Sequence, residues 1–600
     1  MRQFLQQTFA SLIGSLAATL LFFTLGASSL LLLIIAATST DQEPKLKQKS
    51  VLVFDLSINV KDTKRPATLG EAFSLESTKT MTLQQVLKSI EKATVDRNIV
   101  GILLDGSSEQ VNTTGYATLQ EIRSALVKFR ETGKRIVAYD VNWGEKEYYL
   151  GSVANTIMLN PIGVIEINGL SSEPLFLAAA LEKFGIGVQT IRVGKFKSAV
   201  EPFIQQNLSS ENRQQTQQLL WNIWSNFLNT VSQSRDLTPQ KLQNLAGQKG
   251  LLLPKEALAF GLVDEVIYYD EVVGQLKQLT DSSDEDESFN QVSLQDYSND
   301  YATIGTETFS RNKIALIYAE GSIVGGEGSF QEIGADSFVK ELRQLRRDKN
   351  VKAVVLRVNS PGGSATASEI ILREVQLTSQ EKPVIVSMGD MAASGGYWIA
   401  TGGDHIFAEA NTVTGSIGVF GLLFNFQELA KKNGITWDVV KTSGLANLNT
   451  VARPKTAQEL ALYQRLVDDV YNKFLDKVAE SRKLPREKVA EIAQGRVWSG
   501  EDAKEIGLVD QIGGIEAAIE YAAAEAQLKD DWTIEEYPQP GGFELGIFDY
   551  LLSKQAQQPT QSLDPLTSQF LQLRNELFEL QNLNDPKGVY TRLPFHFTLE

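Results

Sequence analysis

The sequence predicts an α/β protein: two copies of one domain in tandem, each on a mainly parallel sheet, behind a single N-terminal transmembrane helix. Three observations predict it. Segments recur at a nearly constant spacing, short β-branched runs alternate with helix-period stretches inside each copy, and a long uncharged apolar run opens the chain. At 600 residues the chain is also too long for one hydrophobic core.

No residue from Gln3 to Thr40 is charged, and residues 9–38 are almost continuously apolar. About 20 apolar residues span a hydrocarbon core of ~30 Å. A cleaved signal peptide has an apolar region of ~7–15 residues behind a basic segment; here the run is longer and only Arg2 precedes it. Residues 1–40 are therefore read as an uncleaved, single-pass anchor that meets membrane lipid through residues 9–38. Its orientation is not set, because Arg2 on one side faces Lys45, Lys47 and Lys49 on the other.

The repeat is explicit. "GLVDE" (Gly261 to Glu265) returns as "GLVDQ" (Gly507 to Gln511) at an offset of 246. Glu147 to Pro161 parallels Gly396 to Ala410, and "EKFGI" (Glu182 to Ile186) parallels "KKNGI" (Lys431 to Ile435), both at 249. Three ordered matches at a nearly constant spacing predict two divergent copies, 41–280 and 313–540. The segment between them, 281–312, begins with an acidic, apolar-poor stretch and reads as a solvated linker. Residues 541–600 form a tail with a helix pattern at 566–583 and no assignable role.

Within copy one, strand-like runs at 51–56, 99–104, 135–141 and 188–193 alternate with helical patterns at 82–95, 118–130 and 175–184. Copy two repeats the order, with runs at 314–318, 353–358, 383–388 and 437–441 and helices at 337–347, 365–377 and 423–432. Such alternation predicts βαβ units. Sites in these folds gather at the carboxyl ends of strands.

Composition narrows the chemistry. The charge of 57 − 73 = −16 argues against nucleic acid as a partner, since neutralising phosphates takes a basic face. The absence of cysteine excludes disulfides, thiolate nucleophiles and Cys-ligated metals. With only His405 and His596, a His-rich metal site is excluded too. No cofactor and no metal are expected.

Two turns in copy two then stand out. "VVLRVNSPGGSATASEI" (Val354 to Ile370) runs from strand to Gly362-Gly363 to helix, and "PVIVSMGDMAASGGYWIA" (Pro383 to Ala400) runs from strand to Ser394-Gly395-Gly396 to helix. Small neighbours let another backbone approach the serine, and paired glycines offer amides of the kind that stabilise an oxyanion. Copy one has "LLDGSSEQ" and "WGEKEYY" at these places. A feature needed by the fold belongs in both copies, so features held by one copy point to function. Ser394 needs a base. His405 opens a strand-like run, where a structural role fits better, and His596 lies in the tail. Lysine remains, provided its pKa falls from about 10.4 towards 8, roughly 3 kcal/mol of environmental effect. Copy one offers "VGKFKSAVEPF" (Val193 to Phe203), where copy two has "SGLANLN" with Asn447 over Lys197. One copy holds the lysine without the serine, the other the serine without the lysine.

"MAASGGYWIA", "NSPGG", "TGSIGV" (Thr414 to Val419) and "KSAVEPF" together resemble signal peptide peptidase A of the long, protease IV type, over roughly residues 50–540. The resemblance implies a tandem crotonase/Clp-like α/β fold and a membrane-anchored serine endopeptidase with a Ser/Lys dyad. It implies Ser394 as nucleophile, Lys197 as general base, Ser416 as the hydroxyl orienting the lysine, and Gly362, Gly363 and Gly395 as the oxyanion region. It also implies hydrophobic peptide substrates such as signal-peptide remnants, with membrane proteins as a further class. A ring-like homotetramer follows from it, as does a bacterial inner or thylakoid-type membrane with the catalytic domains on one side. Two rivals remain at this stage: an acyl-CoA enzyme on the same architecture, in which Ser394 and Lys197 are incidental, and a catalytically silent scaffold.

Overall fold

A computed structural model of the chain describes residues 46–63, 80–108, 112–283, 287–300, 310–329, 332–538 and 589–593. The expected anchor, the helix pattern at 566–583 and His596 lie outside these residues. Among the described residues no helix is long and apolar enough to cross a membrane.

The two halves build the same sheet. In the first, the strand order is Gln291–Ser293, Ser50–Asp55, Ile99–Asp105, Arg135–Trp143, Thr156–Glu166, Leu251–Leu252. In the second it is Thr533–Tyr537, Lys313–Glu320, Val351–Ser360, Val384–Ala393, Val413–Gly415, Val497–Ser499. Every pairing along these two paths is parallel except the last in each. The central strands read as apolar runs because helices cover both faces: Ile314–Ile317 and Ala353–Val355 are wholly buried. Helices Leu83–Val95, Tyr116–Glu131, Ala335–Arg347 and Ala365–Ser379 stand at the expected places.

The repeated "GLVD" now has a physical reading. Gly261 and Gly507 end helices in the left-handed region. The next residues, Leu262 and Leu508, are buried and accept at their carbonyls from the hydroxyls of Tyr148 and Tyr397, at 2.6 and 2.8 Å. Asp264 and Asp510 accept from the strand amides of Ile157 and Ile406 and pair with Arg235 and Arg482.

Several expectations are corrected. Residues 437–441 are not a strand, and 423–432 begins as a strand, Val419–Asn425, with only Gln427–Lys432 helical. The helix expected at 175–184 begins at Ala178. Within 281–312, Gln291–Ser293 joins the first sheet and the helix Leu294–Asp300 buries Leu294 and Tyr297 against its core. Two 26-residue helices, Ser210–Arg235 and Ala457–Arg482, are additions. Their Gln-, Asn- and Asp-rich sequences dilute an apolar stripe that in the first runs Leu219, Ile223, Phe227, Val231.

The failure at 437–441 has a reason. Its copy-one counterpart, Gly187–Val193, pairs antiparallel with Val419–Asn425 of the other half. By the same offset, the partner of 437–441 corresponds to residues near 170–176, which do not pair with it within one chain. Trp437, Val439 and Val440 are left 49, 47 and 99% exposed.

A third sheet joins the halves: Glu332–Gly334, Ser322–Val324, Gly362–Ser364, Val589–Arg592, Val419–Asn425 and Gly187–Val193. A buried ion cluster joins them as well. Arg357, fully buried on the second sheet, donates to Asp62 at 2.9 Å and Glu121 at 2.7 Å from the first half. Glu121 also accepts from the amide of Ile515. Burial opposes the guanidinium charge, but Asp62 and Glu121 push its pKa above the ordinary value. Removing the cation leaves two buried carboxylates uncompensated, a change that costs about 3–5 kcal/mol. Arg357→Ala should therefore lower stability by that amount in chemical denaturation. Combining Arg357→Met with Glu121→Gln should recover part of the loss, whereas equal losses in both variants would contradict a charge-based clasp.

Candidate active site

Ser394 follows the strand Val384–Ala393 and heads the short helix Gly395–Ala400. Its backbone is at φ +56°, ψ −111°, a region that costs a non-glycine residue about 1–3 kcal/mol. The surroundings hold it there: its N–H donates to Gly415 O at 2.8 Å, its carbonyl accepts from Trp398, and its side chain is wholly buried. Ser416 follows the strand Val413–Gly415, also at positive φ (+51°), with its N–H donating to Arg496 O at 2.7 Å.

Lys197 arrives from the other half. The strand Gly187–Val193 ends with Val193 opposite Val419, and Gly194 (φ +101°) turns the chain inward. The turn is pinned by Phe196 N–H to Gln494 O (2.9 Å) and Lys197 N–H to Gly194 O (3.1 Å). The Lys197 Nζ stands 2.8 Å from Ser394 Oγ and 3.0 Å from both the carbonyl oxygen and the Oγ of Ser416. The structure thus brings together three residues that the sequence analysis singled out separately.

This contact needs glycine on the facing loop. A Cβ on Gly495 (φ +76°) would lie 2.6 Å from Lys197 Cβ, and one on Gly418 would lie 3.2 Å from Lys197 Cδ. Gln215, buried on the helix Ser210–Arg235, ties the loop down. Its Nε2 donates to Phe196 O and Ser198 Oγ, both at 3.0 Å, and its Oε1 accepts from Val497 N–H of the other half at 3.3 Å. No ion pair to Lys197 occurs among the described residues. Burial without a compensating carboxylate pushes its amine far below the ordinary lysine range. A neutral amine keeps two N–H donors and one lone pair. The two oxygens of Ser416 match the donors, and Ser394 Oγ matches the lone pair.

The glycines of the other turn lie alongside. Gly362 (φ +95°) sits so close that a Cβ there would meet the Gly395 nitrogen at 2.6 Å. The Gly362 N–H is engaged by Ser360 Oγ at 3.1 Å. Gly363 pairs with Ile323 on one side and Thr591 on the other. Gly395 opens its helix, so its N–H has no intrahelical acceptor. Lys195 is exposed, with its ammonium over the Phe196 ring at 5.0 Å. His405 pairs with Ile385 near the start of the strand that ends before Ser394 and stacks on Tyr521 at 4.3 Å. Nine strand residues, about 30 Å, separate it from the serine. Asn447 lies on a surface loop, where its side chain accepts from Arg453.

Sequence reasoning missed Gln215, Gly495 and the tail strand Val589–Arg592. Only the last carried a signal, the β-favouring triplet Val589-Tyr590-Thr591. Gln215→Ala leaves Phe196 O and Val497 N–H without their buried partner, which should cost about 1–3 kcal/mol in chemical denaturation. Gly495→Ala adds positive-φ strain to a clash with Lys197 and should cost more. A Gly495→Ala protein as stable as the parent would show that the loop can retreat.

Both halves of the chain match known proteins. The model of peptidase family S49 matches residues 128–283 and 376–529, and that of Clp protease matches 307–413. Lys197 falls in the first S49 match, Ser394 and Ser416 in the second. The chain is 36% identical to Protease 4 of Haemophilus influenzae over 518 residues, 84% of each chain. It is 35% identical to Protease 4 of Salmonella typhi over 525 residues, 85% of this chain and 83% of that one. It is 36% identical to the chloroplastic serine protease SPPA of Arabidopsis thaliana over 454 residues, 75% of this chain and 66% of that one. With both halves matching one family and relatives aligned along most of its length, the chain belongs to peptidase family S49 and is a serine peptidase.

Proposed function

We propose that the protein is a membrane-anchored endopeptidase with a Ser394/Lys197 dyad, acting on hydrophobic peptides such as signal-peptide remnants. The observation that carries the reading is the 2.8 Å approach of Lys197 Nζ to Ser394 Oγ in a fully buried setting. Neutral Lys197 takes the hydroxyl proton as Ser394 Oγ attacks the scissile carbonyl. The Gly395 amide, free of an intrahelical acceptor, stabilises the oxyanion, and Gly362 and Gly363 line the same site, where the absence of side chains lets the substrate carbonyl approach. The lysine ammonium then returns its proton to the leaving amine, and the same residue activates the water that hydrolyses the acyl-enzyme. Ser416 orients the amine throughout by accepting its two N–H groups. The anchor at residues 9–38 holds the site beside a bacterial inner or thylakoid-type membrane, where apolar peptides are released.

The sign of the pH dependence follows from the burial of Lys197. Only the unprotonated amine serves as base, so activity is lost as pH falls through the lysine pKa and rises on an alkaline limb. Because burial lowers that pKa, the limb should lie below the ordinary lysine value of about 10.4. Ser394→Ala and Lys197→Ala should each reduce kcat/KM at least about 10²–10⁴-fold with the circular dichroism spectrum intact. Lys197→Arg should be inactive at every accessible pH, since guanidinium stays protonated. Lys195→Ala should retain activity. A pH profile unaltered in Lys197→Ala, or abolished in His405→Ala, would assign the base elsewhere.

The same reading includes a ring-like homotetramer. Trp437, Val439 and Val440 of the segment 437–441 are exposed, and 170–176 of the first half alternate between exposed and partly buried without a strand partner. They correspond by the repeat offset to the two strands that pair within the chain. Two different surfaces that complement each other generate a head-to-tail ring. Val440→Lys together with Trp437→Lys should convert the assembly to monomers in sedimentation, and a mass unchanged by both substitutions would place the subunit contact elsewhere.

A further inference from the structure

The turn at residues 494–496 forms one wall of the Lys197 site. Gln494 O accepts from Phe196 N–H at 2.9 Å, and a Cβ on Gly495 would lie 2.6, 2.7 and 2.8 Å from the Cβ, N and Cα of Lys197. Arg496 follows and makes contacts in two directions. Its carbonyl accepts from Ser416 N–H at 2.7 Å, just before the strand Val497–Ser499 pairs with Val413–Gly415. Its guanidinium carbon lies 5.2 Å from the centre of the Phe196 ring and 4.3 Å from that of Trp498. One residue thus touches both the serine that faces Lys197 Nζ and the side chain that precedes Lys197 in the chain.

The other copy shows what this place holds where no lysine arrives. There Ile167 N–H donates to Gly250 O at 2.8 Å, just before Leu251–Leu252 pairs antiparallel with Ile165 and Glu166. The matching ladders make Gly250 the counterpart of Arg496 and Leu252 that of Trp498, at the offset of 246 that also relates the two "GLVD" segments. Both copies keep the ladder, so the fold accepts glycine at this position. The arginine is also costly. Its Nε is buried without a hydrogen-bond partner among the described residues. Burial pushes the guanidinium below the ordinary arginine value, with Asp502 opposing the shift. An apolar side chain would fill the space without that cost. What guanidinium adds is a rigid plane that stacks on aromatic rings.

We propose that Arg496 is a positioning residue for the base: its guanidinium plane ties the Phe196 ring to Trp498 and thereby holds Lys197 against Gly418 and Gly495, out of reach of water. The proposal rests on the Ser394/Lys197 reading. Gln494 O and Gln215 Nε2 fix the Phe196 backbone, and Arg496 fixes its ring. Released from the stack, the ring gives water access to Lys197 Nζ, which returns the amine towards its ordinary pKa. The other charged groups of this loop do not substitute for Arg496. Arg192 reaches Lys197 O at 3.5 Å and stands 3.8 Å from buried Glu201, which accepts from Ser209 and Asn212, and Lys195 is exposed. None of the three bonds to Nζ, whose partners are Ser394 and Ser416.

In the full chain acting on a short chromogenic peptide, Arg496→Ala should move the alkaline limb of kcat up by about one pH unit, towards the ordinary lysine range. At neutral pH kcat should then fall about tenfold with KM little changed, and the rate should recover above the displaced limb. Arg496→Lys keeps the charge but lacks the plane, and its limb should be displaced as well. Arg235→Ala is the structural control: it removes the partner of Asp264, about 30 Å along the helix Ser210–Arg235 from Gln215, and should lower stability while the limb stays in place. A parental limb in folded Arg496→Ala, a loss of rate equal at every pH, or a change in KM alone would overturn the proposal and leave Arg496 a packing residue. A parental limb in Arg496→Lys would overturn the role of the plane. A limb that persists in Lys197→Ala defeats the dyad reading, whereas one that vanishes there and stays unmoved in Arg496→Ala defeats this proposal alone. If Arg496→Ala does not fold, Arg496→Lys decides the matter on the same criteria.

Discussion

The antiparallel pairing of Gly187–Val193 with Val419–Asn425 is the constraint on which the site depends. Its register puts Val193 opposite Val419, which leaves Lys197 four residues beyond one end and Ser416 three residues before the other. The positive-φ turn at Gly194 and the strained backbones of Ser394 and Ser416 are small adjustments around that ladder. A slip of one residue would turn every side chain of the strand to the opposite face and carry the lysine loop away from the serine. The pairing crosses from one half of the chain to the other, so neither half holds Ser394 and Lys197 together.

Two buried basic side chains at this junction are treated in opposite ways. Arg357 has carboxylates from the other half on two sides and keeps its charge; it binds the halves through complementary charge. Lys197 has only hydroxyl and carbonyl oxygens around it, and burial favours the neutral amine. The difference is one of partners rather than depth, since both side chains are fully buried. The desolvation that makes a lysine an expensive interior residue also keeps it unprotonated, with its lone pair present for proton transfer at a pH below the ordinary lysine range.

Duplication followed by divergence accounts for the asymmetry between the halves. Both keep the sheet order, the Tyr-to-Leu contact and the Asp–Arg brace that the fold needs. Only one half keeps the paired glycines and Ser394, and only the other keeps Lys197. The exchanged strand follows the same rule. The copy-one strand is paired with the second half, whereas the corresponding copy-two segment at 437–441 lies exposed.

The α/β repeat was legible in the sequence because each signal is local: apolar runs, helix-period stripes, and short matches at a constant offset. Ser394 and Lys197 were legible through comparison of the two copies, in which a residue missing from one copy marks it as dispensable for the fold. Gly362 and Gly363 stood out in the same comparison, and Ser416 came from resemblance alone. What the sequence did not determine was every feature that depends on a distant partner. Residues 437–441 and 188–193 look alike as β-favouring runs, yet a strand exists only where another edge receives it, and only tertiary structure decides that. Gln215 is an ordinary glutamine on a polar helix until Phe196 O and Val497 N–H of opposite halves are brought to its amide. Gly495 is one turn glycine among many until Lys197 packs 2.6 Å from where its Cβ would be. The tail strand acquires a place only between two edges more than 160 residues away in sequence. Local propensity and pattern belong to the chain; register, close approach and burial belong to the assembled fold, because each is a relation between residues that the sequence keeps apart.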